Sequence, residues 1–180
     1  EHEAILGFHH SILDGWSSGL IWQRLEENYR ALAAGAPVPA VRGRFRDFLR
    51  WLRARDTERD LAYWSAMLAG APAGSAVPTG APRLGAPPVR TRSFNWEMGR
   101  ERTERFVTSA RRLGTTENSL FQTLWGIFLG KLTRRADVVF GATVSGRTEG
   151  IPGVEAIVGL LINTIPVRVA WQEGTNFQEL

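Results

Sequence analysis

Residues 4 to 17 read Ala-Ile-Leu-Gly-Phe-His-His-Ser-Ile-Leu-Asp-Gly-Trp-Ser. Ala4 to Phe8 has the length and apolar character of a short buried strand. It leads into two adjacent histidines, and Asp14-Gly15 then signals a turn. Neighbouring side chains on a strand point to opposite faces, so His9 and His10 are expected to do different jobs. One reaches into a cleft while the other packs behind the sheet. Gly15 supplies backbone freedom for the turn, and Asp14 is placed to cap the helix that follows. An imidazole beside a turn can take a proton from an attacking nucleophile near pH 7. An aspartate a few residues on can fix the turn, or pair with an arginine, without touching substrate. A bare His-His pair is more often buried and satisfied by backbone. The spacing to Asp14-Gly15 is what sets this pair apart.

Outward from that stretch, Trp16, Leu20, Ile21, Leu25, Tyr29 and Leu32 recur at three-to-four spacing and predict a helix. Gly35-Ala36-Pro37 ends it. Phe45, Phe48, Leu49 and Leu52 start a second amphipathic helix with arginines on its wet side, and Thr57 is expected to cap its continuation through Leu68. Residues 69 to 90 are mostly Ala, Gly and Pro and read as a long loop. Thr91 to Met98 alternates like a strand. Glu101 to Leu113 reads as a helix ending at Gly114. Thr116 caps the next helix, whose Leu120, Phe121, Leu124, Ile127, Phe128 and Leu132 predict nearly complete burial. Asp137 to Thr143 is an apolar, β-branched strand, and Leu160 to Ile162 with Pro166 to Val169 another. Pro166 places that strand at an edge or a bulge. The order implies a layered α/β arrangement.

Composition narrows the class. The chain has 180 residues, is 43% hydrophobic and 22% charged, and carries a net charge of +4. These are the proportions of a globular protein with one large domain at most. There is no cysteine, so disulfides and thiolate metal sites are excluded. No apolar run approaches the roughly 20 residues of a membrane span. No signal-peptide pattern opens the chain, so a cytoplasmic location is expected. Every basic residue except Lys131 is arginine, but the arginines are interleaved with Glu and Asp. They predict solvated helix faces rather than a nucleic-acid track. The chain does not begin with Met, and residues 175 to 180 look like a helix just starting. It therefore reads as a fragment of something longer.

A second constellation lies at 141 to 168: Gly141-Ala-Thr-Val-Ser-Gly-Arg147, then Gly159-Leu-Leu-Ile-Asn163-Thr-Ile-Pro-Val-Arg168. Arg147 after Ser-Gly is either solvated or holds a carboxylate, which its planar fork suits. Asn163 in an apolar strand either finds a hydrogen-bond partner or marks a turn.

His9-His10-x-x-x-Asp14-Gly15-Trp16-Ser17 resembles the signature of the condensation domains of nonribosomal peptide synthetases, in the chloramphenicol-acetyltransferase-like superfamily. Phe45-Arg-Asp-Phe-Leu-Arg-Trp51 and Ala62-Tyr-Trp64 to Gly70 resemble two further blocks of that family. Gln122 to Trp125, Asp137 to Gly141, and Val158-Gly-Leu-Leu-Ile-Asn163-Thr164 are similar to others, with Leu161 where Phe is common. Several blocks in the right order are more specific than any one motif.

The resemblance implies a layered sheet-and-helix sandwich made of parts of two lobes: the end of an N-terminal lobe over about 1–70, a loop over about 69–90, and part of a C-terminal lobe over about 91–180. It implies amide formation between substrates held as thioesters on phosphopantetheine arms of upstream and downstream carrier domains, beside an adenylation domain. It implies no metal or other cofactor bound by the domain itself, no nucleic acid and no membrane. His10 is the expected base or amine-positioning group. His9, Asp14, Gly15 and Trp16 support the motif, with Arg147 as partner of Asp14. Gly15 also leaves its N–H free near the reacting carbonyl, and Asn163 lies near the substrate tunnel. A piece of the two-lobed domain is not expected to be active alone. An epimerization domain, a free-standing acyltransferase and a non-catalytic docking domain are the alternatives. A heterocyclization domain usually has aspartates in place of the histidines, which this chain keeps.

Overall fold

The computed structural model describes residues 3–73, 77, 93–148 and 150–179. Five helices are present among them: α1 (Gly15–Ala33), α2 (Phe45–Arg53), α3 (Thr57–Met67), α4 (Arg100–Arg112) and α5 (Glu117–Thr133). Two strands, β1 (Asp137–Val144) and β2 (Asn163–Ala170), pair as a two-stranded sheet. The Trp171 N–H donates to the Ala136 carbonyl at 2.9 Å just outside one end, and Gly146 meets Leu161 just beyond the other. The strands therefore run antiparallel. Short 3-10 turns lie at Val154–Ala156 and Phe177–Glu179.

Contacts divide the chain into two compact units, residues 1–66 with 142–165 and residues 67–141 with 166–180. In the first, Ile151, Val154, Ile157 and Leu161 form a buried cluster against Phe45, Phe48 and Trp51 of α2. The Phe45 and Phe48 rings lie 5.6 Å apart, and Phe48 and Trp51 stack at 6.3 Å. The block Phe45-x-x-Phe48-x-x-Trp51 thus lays one aromatic row on the buried loop. The helix start expected at Thr57 is capped one residue earlier: the Asp56 carboxylate accepts the Arg59 N–H at 3.0 Å. A carboxylate is the stronger acceptor for those unpaired amides.

In the second unit, Leu129, Val138 and Val169 are buried, with Phe140, Val167 and Trp171 around them. Thr116 caps α5 by accepting the Ser119 N–H at 3.1 Å. The near-complete burial expected of α5 does not hold. Leu120, Gly126, Leu129 and Gly130 are buried, whereas Phe121, Leu124, Trp125, Phe128 and Leu132 are exposed. Apolar periodicity shows which faces could be buried; among the described residues, the buried positions lie on the side of the helix that carries the two glycines. A Cβ on Gly126 would lie 2.5 Å from Val169, and one on Gly130 would run into the Trp171 ring and lie 2.6 Å from the Arg135 carbonyl. Gly130→Ala is therefore expected to cost about 1–3 kcal/mol by overpacking, read as a lowered denaturation midpoint. An unchanged midpoint would mean that Trp171 swings clear at no cost.

Two expected strands are absent. Residues 4–8 and 93–98 have no regular structure; Ile5 is 87% and Phe94 88% exposed. Residues 91 and 92 lie outside the described residues, as does most of the 69–90 loop. A strand exists by pairing its backbone with another, and neither an apolar run nor alternation in a sequence supplies the partner. Residues 160–162 likewise precede β2 rather than belong to it, and Pro166 sits inside β2. Among the described residues the sheet has only two strands, so each is an edge strand and tolerates the proline.

Candidate active site

The turn before α1 is closed by the Ile12 N–H donating to the His9 carbonyl at 3.1 Å. Both histidines are exposed, and neither packs behind a sheet as the strand reading required. Each has its Nδ1 committed locally, with opposite sense. The Ser11 N–H donates to His9 Nδ1 at 3.1 Å, and the Ser11 hydroxyl lies 2.7 Å from the same atom. A backbone N–H only donates, so this Nδ1 accepts, and a neutral His9 carries its proton on Nε2. His10 Nδ1 lies 2.8 Å from the Leu13 carbonyl, which only accepts. His10 Nδ1 therefore carries the proton, and a neutral His10 presents a bare lone pair at Nε2. Two identical neighbours are thus held in opposite tautomers by one tight turn.

Asp14 is completely buried and does two things at once. As N-cap of α1 it accepts the Ser17 N–H at 2.8 Å on Oδ1. Its Oδ2 accepts from Arg147 Nη1 at 2.9 Å and from the Leu161 N–H at 3.1 Å. Burial pushes the Asp14 carboxyl up, but hydrogen bonds from Arg147, Ser17 and Leu161 outweigh it and hold the group well below the usual carboxylate range. The Arg147 side chain is itself buried, with Nη2 donating to the Ile157 carbonyl at 3.0 Å and its Cζ 5.5 Å from the centre of the Trp16 ring. Its Nε is the one buried side-chain polar atom without a hydrogen-bond partner among the described residues.

Gly15 differs from its expected role in the turn. It is the first residue of α1, it is not among the residues with positive φ, and a Cβ there would meet nothing within 4 Å. Asp14 makes the bend in ordinary extended geometry, with φ −101° and ψ 173°. Trp16 is half exposed and donates its Nε1–H to the Glu155 carbonyl at 2.9 Å. Asn163 is exposed at the start of β2, and its Oδ1 accepts the N–H of Thr164 at 2.8 Å. That is the local turn-type bond, not a buried partner.

Sequence reasoning passed over Ser17, Arg24 and Arg168 as site residues. Ser17 is buried, donates to the Gly159 carbonyl at 2.7 Å and accepts the Gly159 N–H at 3.0 Å. Arg24 donates to the Ala156 carbonyl at 2.7 Å. The signal for Ser17 was a small polar residue in a helical first turn where the apolar stripe leaves a gap. In the second unit, Arg168 pairs with Asp137 through two bonds of 3.0 and 2.7 Å and donates to the carbonyls of Met67 and Ala69. The Arg168 hydrogen bonds hold the Asp137 carboxyl below its ordinary range. Among the described residues no three His, Cys, Asp or Glu side chains are grouped to hold a metal ion, and no helix is long and apolar enough to cross a membrane.

The family model described as the condensation domain matches residues 1–180. The chain belongs to the condensation-domain family. It is 36% identical over 183 residues to tyrocidine synthase 3 of Brevibacillus parabrevis, covering 100% of this chain and 3% of that protein. It is 38% identical over 174 residues to surfactin synthase subunit 2 of Bacillus subtilis (strain 168), covering 96% of this chain and 5% of that one. The chain thus spans a small fraction of the curated relatives it matches. The first condensation domain of the calcium-dependent antibiotic synthetase, solved with a substrate analogue, superposes with a TM-score of 0.69 at 31% identity, covering 96% of this chain and 40% of that one. The helices and the strand pair therefore belong to a condensation-domain fold of the chloramphenicol-acetyltransferase-like type. The His-His-x-x-x-Asp-Gly turn and the Asp14–Arg147 pair lie within the matched residues.

Proposed function

We propose that the protein forms amide bonds in nonribosomal peptide synthesis. An acceptor aminoacyl group and a donor acyl group come in as thioesters on the phosphopantetheine arms of neighbouring carrier domains. The acceptor α-amine attacks the donor carbonyl carbon, a C–N bond forms and the C–S bond breaks. The amine gives up one proton and the departing thiolate takes one up. The observation that carries this reading is the Leu13 carbonyl on His10 Nδ1. It leaves the His10 Nε2 lone pair outward and available to accept the amine proton. In this reading the N–H of Gly15, the first residue of α1, donates to the developing oxyanion, which gains from a helix N-terminus. His9, Asp14, Arg147 and Trp16 hold the turn, and Asn163 lines the approach of an arm.

The same reading divides the chain into an N-terminal-lobe part over about 1–70 and a C-terminal-lobe part from about 91. It makes the domain an acyltransferase that binds no cofactor of its own, with carrier and adenylation domains as neighbours, in the cytoplasm. The test uses the full-length protein with two loaded carrier proteins and mass spectrometry of the product. An amide on the acceptor carrier is the expected result. An inverted α-carbon with no amide would make it an epimerization domain. Carrier binding with no reaction would make it a docking domain.

A further inference from the structure

Residues 157–161 lie in neither strand, although Ile157 is extended at φ −76° and ψ 124°. Along one edge of this segment, side chains stand where a neighbouring strand would be. Arg147 donates to the Ile157 carbonyl, Ser17 bonds both the carbonyl and the N–H of Gly159, and Asp14 accepts the Leu161 N–H. Alternate residues are engaged, which is the repeat of one edge of an extended chain. Ser17 holds the middle position. Its hydroxyl has one donor and two lone pairs. The donor goes to the Gly159 carbonyl, and the lone pairs take the Gly159 N–H and Arg147 Nη2, the last at 3.2 Å. That capacity is completely used, inside a site with no exposure.

The row reaches the histidine turn through Asp14. The carboxylate that holds the Leu161 N–H also holds the Ser17 N–H, so a shift of the segment pulls on Asp14. The Leu13 carbonyl belongs to the peptide unit that ends in the Asp14 nitrogen, so a swing of Asp14 turns it. That carbonyl is the group that sets the His10 ring.

We propose that Ser17 is a positioning residue for the reaction: it sets the register of residues 157–161 against the histidine turn and so holds the carbonyl that orients His10. The proposal rests on the reading of His10 as the proton acceptor. Ser17 touches no substrate in this arrangement. A displacement of about 1 Å at such a group lowers rate by up to about 10²-fold.

The experiment takes the full-length protein with loaded carriers and compares Ser17→Ala, Ser17→Thr and His10→Ala. Amide formation at saturation falls about tenfold or more in Ser17→Ala, with KM for the acceptor carrier held within about twofold, the pattern of lost transition-state alignment. Hydrogen–deuterium exchange by mass spectrometry speeds up in peptides covering 157–163 and 9–14, and not in those covering 117–133. Ser17→Thr, which keeps the hydroxyl, recovers most of the rate. An unchanged saturating rate in Ser17→Ala, with His10→Ala slow, overturns the proposal and leaves Ser17 a stability residue. So does a rate loss without faster exchange at 157–163. His10→Ala at the wild-type rate would instead sink the His10 reading. Should Ser17→Ala fail to fold, Ser17→Cys keeps the volume with a weak donor and is read in the same way.

Discussion

His10→Ala is expected to slow amide formation by about 10²–10⁴-fold, the usual contribution of a positioned acid or base. The loss should be chemical rather than structural. His10 is exposed, and its one hydrogen bond runs three residues along the chain to Leu13. Removing an exposed side chain of this kind changes stability by no more than about 0.5 kcal/mol. The variant therefore stays folded and still binds carriers, and its KM is unchanged while its saturating rate falls. It is slow rather than dead, because some α-amine is already neutral near pH 7 and the two arms are still held together. Single-turnover mass spectrometry with preloaded carriers measures the step directly. A wild-type rate in His10→Ala would take His10 out of the chemistry.

Asp14→Asn is expected to destabilise the first unit by about 3–5 kcal/mol, the usual cost of breaking a buried ion pair by removing one partner. Asparagine has nearly the same shape, so the effect isolates charge and donor direction. Oδ1 faces the Ser17 N–H and Oδ2 faces Arg147 and the Leu161 N–H. Whichever way the amide turns, its NH₂ points at a donor, and Arg147 is left charged and buried without its partner. The same pair gives a pH dependence with a definite sign. The Asp14 carboxyl is held below its value in the unfolded chain, which is about 3.9. Its stabilisation is complete above that value and is lost as pH falls toward the depressed folded one, because there the unfolded chain binds a proton that the folded chain does not. Denaturation midpoints measured downward from pH 6 should fall less steeply in Asp14→Asn than in the wild type below about pH 4. Parallel curves would show that the pair is not linked to folding.

The helices were legible because each carries its own instructions. Asp14 and Thr116 are caps, Gly35 and Gly114 are stops with positive φ, and the intervals between them have helical period. The strands were less so. The apolar run at 4–8 and the alternating run at 93–98 read as strands but have no pairing among the described residues, whereas β1 and β2 pair with each other. The apolar pattern overstates burial on α5, where Phe121 and Phe128 are exposed. In the site, the motif announced itself by residue type and spacing. Ser17 stands inside that motif, but its role did not show, because a serine in a first helical turn is ordinary until its neighbours across 142 positions of chain are known.

Chemistry and local geometry, then, were written in the order of the residues. The two histidines, the capping aspartate, the arginine after Ser-Gly and the family blocks all lie within a few residues of one another or in a recognisable succession. The tertiary structure alone decided two things: which apolar faces are covered, and how Asp14, Ser17 and Arg147 close on residues 157–161. The physical reason is reach. Caps and turns are settled by bonds that close within three or four residues, whereas the Asp14–Arg147 bond spans 133 positions and the Leu161–Asp14 bond 147. No local pattern encodes such partners; they meet only once the chain has folded.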